Sequence, residues 1–190
     1  TATTQTIEAA CHHVQGVLTE EAELSFLGDW LGSLRHFVEV GVLVANHSSY
    51  LLQRFRPARA DLLEGDPLML PLIEANLAHN RPAQSEVRLR HRLVGEGPER
   101  STAFAGADVI VASLDELVEG KPDFIKIDVD GAELGLLRAA RQLLSTARPR
   151  LMVEVTQQNR EAVLVELGGL GYRLHHAIGH GAYDNLFLAP

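Results

Sequence analysis

Two hydrophobic periods organise this chain. Leu24, Phe26, Leu27, Trp30, Leu31 and Leu34 recur at helical spacing, which predicts a helix from Thr19 to about Leu34. Thr19 would cap it, with Glu20 and Glu21 in its first turn. The aromatic members of that stripe read as core packing. Residues 1 to 18 are mixed in character and read at most as a loose helix. Short apolar runs then predict strands at His36–Gly41, Ala58–Glu64, Val87–Val94, Asp123–Asp128, Arg150–Val155, Tyr172–Ala177 and Asn185–Leu188. Between them, helical patterns cover Ala45–Phe55, Pro67–His79, Leu114–Val118, Ala132–Leu144 and Asn159–Leu170. Asp66 is placed to cap the helix at Pro67, and Pro71 offers a later start. Residues 96 to 108 are rich in Gly, charge and Ser/Thr and predict a loop or short hairpin.

Repeated strand–helix alternation predicts an α/β fold with a doubly wound, mostly parallel sheet. The last two strands are joined by a short loop and should form an antiparallel hairpin. No repeat or low-complexity linker divides the chain, so a single domain is expected, with a helical segment over 1–34 leading into residues 35–190.

Charge narrows the partners. Acids outnumber Lys and Arg 25 to 17, a net charge of −8, which argues against a broad nucleic-acid footprint. The only cysteine is Cys11, so no disulfide can form within the chain, which fits a reducing cytoplasmic setting. No apolar run is long enough to span a bilayer, and the N-terminal residues lack the basic and apolar regions of a signal peptide. The expected partner is a small molecule. Oligomeric state is left open.

Candidate chemistry sits where predicted strands end. Gly41 follows the first strand, where a nucleotide-type fold turns so that backbone can approach a ligand. Ala45 stands where a later glycine is usual and tolerates a positive φ only at a cost. Glu64 comes 23 positions after Gly41, near the spacing of an acid that accepts hydrogen bonds from ribose hydroxyls. Asp128, Asp130 and Glu133 crowd the end of the central strand. They do not match an EF-hand, since Lys126 and Leu137 would fall on required ligand positions. A metal-dependent sugar transferase using Asp128 and Asp130 stays open as a minor alternative, and Glu133 also reads as a helix-dipole acid. The pairs His12–His13 and His175–His176 predict no zinc site, because neighbours on a strand point to opposite faces. His180 lies in a loop that can reach the carboxyl edge of the sheet.

Taken in order, these segments resemble the FkbM-type family of S-adenosylmethionine-dependent methyltransferases. The resemblance rests on Val38-Glu-Val-Gly41, Glu64-Gly-Asp-Pro67, Val94-Gly-Glu96, Ser113-Leu-Asp115, Ile125-Lys-Ile-Asp-Val-Asp-Gly-Ala-Glu133, Gly171-Tyr172 and Asn185-Leu-Phe-Leu188. It implies a seven-stranded, Rossmann-like methyltransferase sheet and S-adenosylmethionine as cofactor, with S-adenosylhomocysteine as product. It also implies transfer to a hydroxyl of a sugar or secondary metabolite. The implied cofactor residues are Glu39, Gly41, Asn46, Glu64, Glu96 and Asp128. Asp128 is the implied base or orienter, with His180 second, and no metal is implied. The first loop departs from the family's Gly-Ala-Asn-x-Gly: it reads Gly41-Val-Leu-Val-Ala45. That departure keeps a second reading open, a cofactor-poor binding or scaffold module.

Overall fold

The computed structural model describes residues 18–95, 100–104 and 107–190. Its elements, in chain order, are α1 (Glu21–Trp30), β1 (His36–Val40), α2 (Asn46–Phe55), β2 (Arg59–Glu64), α3 (Leu70–Asn80), β3 (Glu86–His91) and β4 (Leu93–Val94). There follow β5 (Arg100–Phe104), β6 (Ala107–Ala112), α4 (Leu114–Leu117), β7 (Phe124–Ile127), α5 (Glu133–Ala139), α6 (Arg141–Ala147), β8 (Arg150–Thr156), α7 (Arg160–Gly169), β9 (Arg173–Gly179) and β10 (Tyr183–Ala189).

Seven strands form one sheet in the order β3-β2-β1-β7-β8-β10-β9. β10 is antiparallel to both β8 and β9, and the remaining pairs are parallel. The alternation within each strand divides the core. Phe37, Phe124, Met152 and Phe187 face α1, α2 and α3, where Leu27, Leu31, Leu51 and Leu52 pack on them. Val38, Val40, Ile125, Ile127, Leu151 and Val153 face the other side, under Leu136, Leu143 and Val163. α1 thus belongs to the same core as the sheet, and its Phe26 and Trp30 pack against that core as expected. Among the described residues no helix is long and apolar enough to cross a membrane.

Four local expectations change. Thr19 does not cap α1: Glu20 holds the N-cap position with φ 57° and no side-chain cap, and Thr19 bonds elsewhere. Asp66 caps a turn instead of a helix, accepting from the Leu68 N–H at 2.9 Å, and α3 starts at Leu70. The helix expected over Ala132–Leu144 is two helices that meet at Ala140, where Asp115 accepts from the Gln142 and Leu143 N–H groups at 3.1 and 2.7 Å. His175 and His176 do not point apart. The β9–β10 register slips between Phe187 and Leu188, and both imidazoles lie against Phe26, at ring-centroid distances of 6.1 and 4.6 Å. A bulge places two consecutive residues opposite one, which undoes strict alternation.

The expected hairpin over 96–108 exists in its described part, where β5 pairs antiparallel with β6. The strand expected to run to Val94 is interrupted after His91. Leu93 and Val94 pair with β6 in a small three-stranded sheet, separate from β3.

Candidate active site

Charged residues inside apolar strands build this site. β1 reads Phe-Val-Glu39-Val, β7 reads Phe-Ile-Lys126-Ile and β8 reads Leu-Met-Val-Glu154-Val. Each charge has the phase of the face that carries α1 and α2. Register aligns Glu39 with Lys126 across β1 and β7. One step beyond the aligned pair Ile127–Val153 come Asp128 and Glu154, and Glu154 is paired with Asn185 on β10. The carboxyl end of the parallel strands therefore carries a band of polar groups, the usual ligand position in an open α/β sheet.

Lys126 is the centre of that band. It is only 3% exposed. Its Nζ donates to Asp128 Oδ2 at 2.9 Å, lies 3.7 Å from Glu39 Oε1 and donates to the Gly41 carbonyl at 3.4 Å. Burial alone would lower its pKa, but the carboxylates of Asp128, Glu39 and Glu20 outweigh burial and raise it. Glu39 is 1% exposed and accepts from the Ser48 hydroxyl. Burial pushes its carboxyl up to about 7 in spite of Lys126. Burial and the neighbouring Asp128 push Glu154 up to about 8. Burial, then Asp128, raises Asp130 as well.

The first loop keeps the backbone of a glycine-rich turn without its residues. Gly41 has φ 80°, and a Cβ there would stand 1.8 Å from the Asp128 carbonyl oxygen. The glycine is thus required by the close approach of β7's end. Leu43 and Ala45 take φ 54° and 61°, a left-handed conformation that residues with a Cβ adopt at a cost of roughly 1–2 kcal/mol each. Glu64 holds this loop in place: its Oε2 accepts from the Val42 and Leu43 N–H groups at 2.9 Å each, and Oε1 accepts from the Asp66 N–H at 2.8 Å.

Other expected residues are distributed unevenly. Asn46 opens α2, and its side chain exchanges two hydrogen bonds with the Thr19 backbone, at 3.0 and 2.9 Å. Next to it, His47 is buried 3.5 Å from the Glu20 carboxylate, and burial followed by Lys126 drives its pKa well down. Its Nε2 has no partner among the described residues. Glu39 is buried beneath the loop, where Ser48 of α2 and Lys126 hold it. His180 stands apart from Asp128's contacts: its Nε2 bonds to Glu23 on α1, and its ring stacks on Tyr183 at 4.8 Å. Asp130 takes a left-handed turn at φ 51°, and Glu133 accepts from the Gly131 N–H at 2.8 Å, the turn and helix-start roles their positions suggest. Glu96 lies outside the described residues.

Thr19, Glu20, Glu39, Gly41, Asn46 and Asp128 are among the residues around a cavity of about 40 Å³. Small-molecule sites are roughly 300–1,000 Å³. Thr19 and Glu20 form a roof over part of this cavity, through the Asn46 hydrogen bonds and the approach of Glu20 to His47. The chemistry beneath that roof fits a cationic cofactor. Glu20, Glu39, Asp128 and Glu154 surround the single ammonium of Lys126, and Glu64 uses three of its roughly four acceptor positions.

Sequence comparison decides the family. Residues 73–174, just over half of the chain, match the methyltransferase FkbM domain. The chain belongs to the FkbM methyltransferase family. Among solved structures it is similar to the FkbM methyltransferase of Methylobacillus flagellatus KT, with a TM-score of 0.67 and 21% identity over 83% of this chain and 44% of that one. It therefore spans less than half the length of that FkbM relative. It is also similar to precorrin-6y C5,15-methyltransferase from Geobacter metallireducens GS-15, with a TM-score of 0.65 and 16% identity over 90% of this chain and 89% of that one. A third similar structure is a ribosomal protein L11 methylase from Lactobacillus delbrueckii subsp. bulgaricus, with a TM-score of 0.59 and 13% identity over 100% and 80%. At these identities the likeness is one of fold. No curated protein matches by sequence.

Lys126, Glu154, His47, Glu20 and Asn185 escaped the reading of the sequence as site residues. A signal existed for the first two: each is a lone charge inside an apolar strand, at the phase shared with Glu39.

Proposed function

We propose that this FkbM-family chain transfers a methyl group from S-adenosylmethionine to a hydroxyl of a small acceptor, a sugar or secondary metabolite. The observation that carries the reading is the constellation at three adjacent strand ends: the Gly41 loop after β1, Glu64 as the last residue of β2 and Asp128 after β7. S-adenosylmethionine supplies an electrophilic methyl group on a sulfonium. Gly41, Asn46 and the intervening loop would hold it, and Glu64 would take ribose hydroxyls with its remaining acceptor capacity. The acid surplus around Lys126 favours a cation in the cleft and disfavours a polyanionic nucleic-acid acceptor. A cytoplasmic setting belongs to the same reading, with which the single cysteine is compatible.

Asp128 is the residue placed to act on the acceptor. Its side chain is 30% exposed, while Lys126 fixes one oxygen. It would orient the acceptor hydroxyl and take its proton as the oxygen–carbon bond forms. Positioning contributes most of such an acceleration, and a base adds roughly 10²–10⁴-fold. His180 is second, because its Nε2 is committed to Glu23. With an acceptor in hand, Asp128→Asn should lower kcat about 100-fold or more while S-adenosylhomocysteine affinity stays within a few-fold. Wild-type kcat in that variant would remove Asp128 from the chemistry. The binding-module alternative draws on Leu43, Ala45 and the roof, and it requires that the chain take up no cofactor.

A further inference from the structure

Acceptor groups outnumber donors on the β8 side of the site. Asp128, Asp130 and Glu154 each offer a carboxylate oxygen, and these oxygens lie within 4.8 Å of one another. An octahedral cation with bonds of about 2.1 Å holds its ligand oxygens roughly 3–4 Å apart, so small rotamer changes would close the set on one ion.

A second observation comes from behind the carboxylates. Asn185 is directly opposite Glu154 in the β8–β10 register, on the same face, and only 1% exposed. Its Nδ2 donates to Glu23 Oε1 at 3.1 Å, which leaves Asn185 Oδ1 buried beside Glu154 without a partner among the described residues. Glu23 Oε2 is a second buried oxygen in the same condition. An orphaned buried acceptor costs about 1–3 kcal/mol. The contacts of Lys126 go to Asp128, Glu39 and the Gly41 carbonyl, on the β1 side, and His180 spends its Nε2 on Glu23 Oε1. Asp130 is exposed and Glu154 half-buried, so their carboxylates can take positive charge from solvent, whereas the buried Asn185 Oδ1 behind them lacks a donor among the described residues. A hydrated divalent cation supplies both. The ion answers the carboxylates, and its bound water donates to the amide oxygen.

We infer that Asp128, Asp130 and Glu154 form a binding site for a divalent cation of the magnesium or manganese type, with Asn185 Oδ1 receiving a metal-bound water. Oxygen-only ligands suit these hard ions. Three protein oxygens leave an octahedral ion three further positions, open to water or to an acceptor oxygen. A role in orienting the acceptor rests on the methyl-transfer reading; the existence of the site does not.

Manganese titration followed by electron paramagnetic resonance of the free ion tests the site with the metal alone. Wild-type protein should bind one ion in the micromolar to low millimolar range. Glu154→Gln and Asp130→Asn, both close in shape to the native residues, should each weaken binding about 10-fold or more, and Glu161→Gln, at an exposed position of α7, should not change it. Circular dichroism and thermal melts confirm that the variants fold. S-adenosylhomocysteine titration in EDTA, run on the same samples, separates this question from cofactor binding. Stoichiometric binding lost in both site variants supports the site. No binding by the wild type at several millimolar manganese overturns it, as does undiminished binding by folded Glu154→Gln and Asp130→Asn.

Discussion

Leu43 and Ala45 each carry a Cβ at positive φ, in a loop whose family pattern has Asn and Gly at those positions. Both family residues are the ones that tolerate the left-handed region best. The loop takes this left-handed backbone with a Cβ at both positions, held by Glu64 and by the contact between Gly41 and Asp128. Ala45→Gly should stabilise the protein by a net ~0.5–1 kcal/mol in urea unfolding, because relief of the left-handed cost exceeds the added chain entropy. Gly41→Ala should destabilise it by at least ~2 kcal/mol, since a Cβ would meet backbone at 1.8 Å. Glu39 makes a pH prediction. Its folded pKa of about 7 lies above the ordinary 4.5, so its contribution is fully present below pH 4.5 and is lost as pH rises through 7. Glu39→Gln removes that loss. The stability of the variant relative to wild type should rise by up to ~3 kcal/mol between about pH 4.5 and pH 8 in urea unfolding. Gly41, Glu64 and Asp128 were legible in the sequence because each follows an apolar run at a strand end. Glu154 was not, because its importance comes from Asp128 on a neighbouring strand.

Elements were legible where one local pattern determined them. The apolar runs of β1, β2, β7 and β8 became strands close to their expected positions. The break at Ala140 was hidden, because its cause is Asp115, 27 residues before Gln142, whose carboxylate takes the first free N–H groups of α6. Asp115→Ala should cost ~1 kcal/mol, as the loss of a helix cap does, measured by thermal or urea unfolding. The side-by-side arrangement of His175 and His176 was hidden for a similar reason. A bulge between paired strands cannot be read from one of them. The start of α1 was misjudged because Thr19, a good cap by type, gives its backbone to Asn46 on α2.

Across the whole molecule, the strand–helix alternation was sufficient to predict the doubly wound sheet with its C-terminal antiparallel hairpin. The ordered motifs were sufficient to indicate the FkbM family. What they could not convey is the covering of one side of the cleft by residues ahead of the sheet. Thr19 and Glu20, from the segment ahead of the sheet, lie over Asn46 and His47 and line a cavity of about 40 Å³ there. A site open for only part of the time binds more weakly by that fraction. Glu20→Ala, which removes the carboxylate 3.5 Å from the His47 ring, should therefore tighten S-adenosylhomocysteine binding severalfold, and unchanged affinity would show that the roof imposes no such penalty. The central claim, that this cleft binds the cofactor, is tested most directly by calorimetric titration of the wild-type chain with S-adenosylhomocysteine. Saturable binding of one ligand per chain is the expected result. Absence of heat and of any thermal stabilisation at millimolar ligand would contradict it.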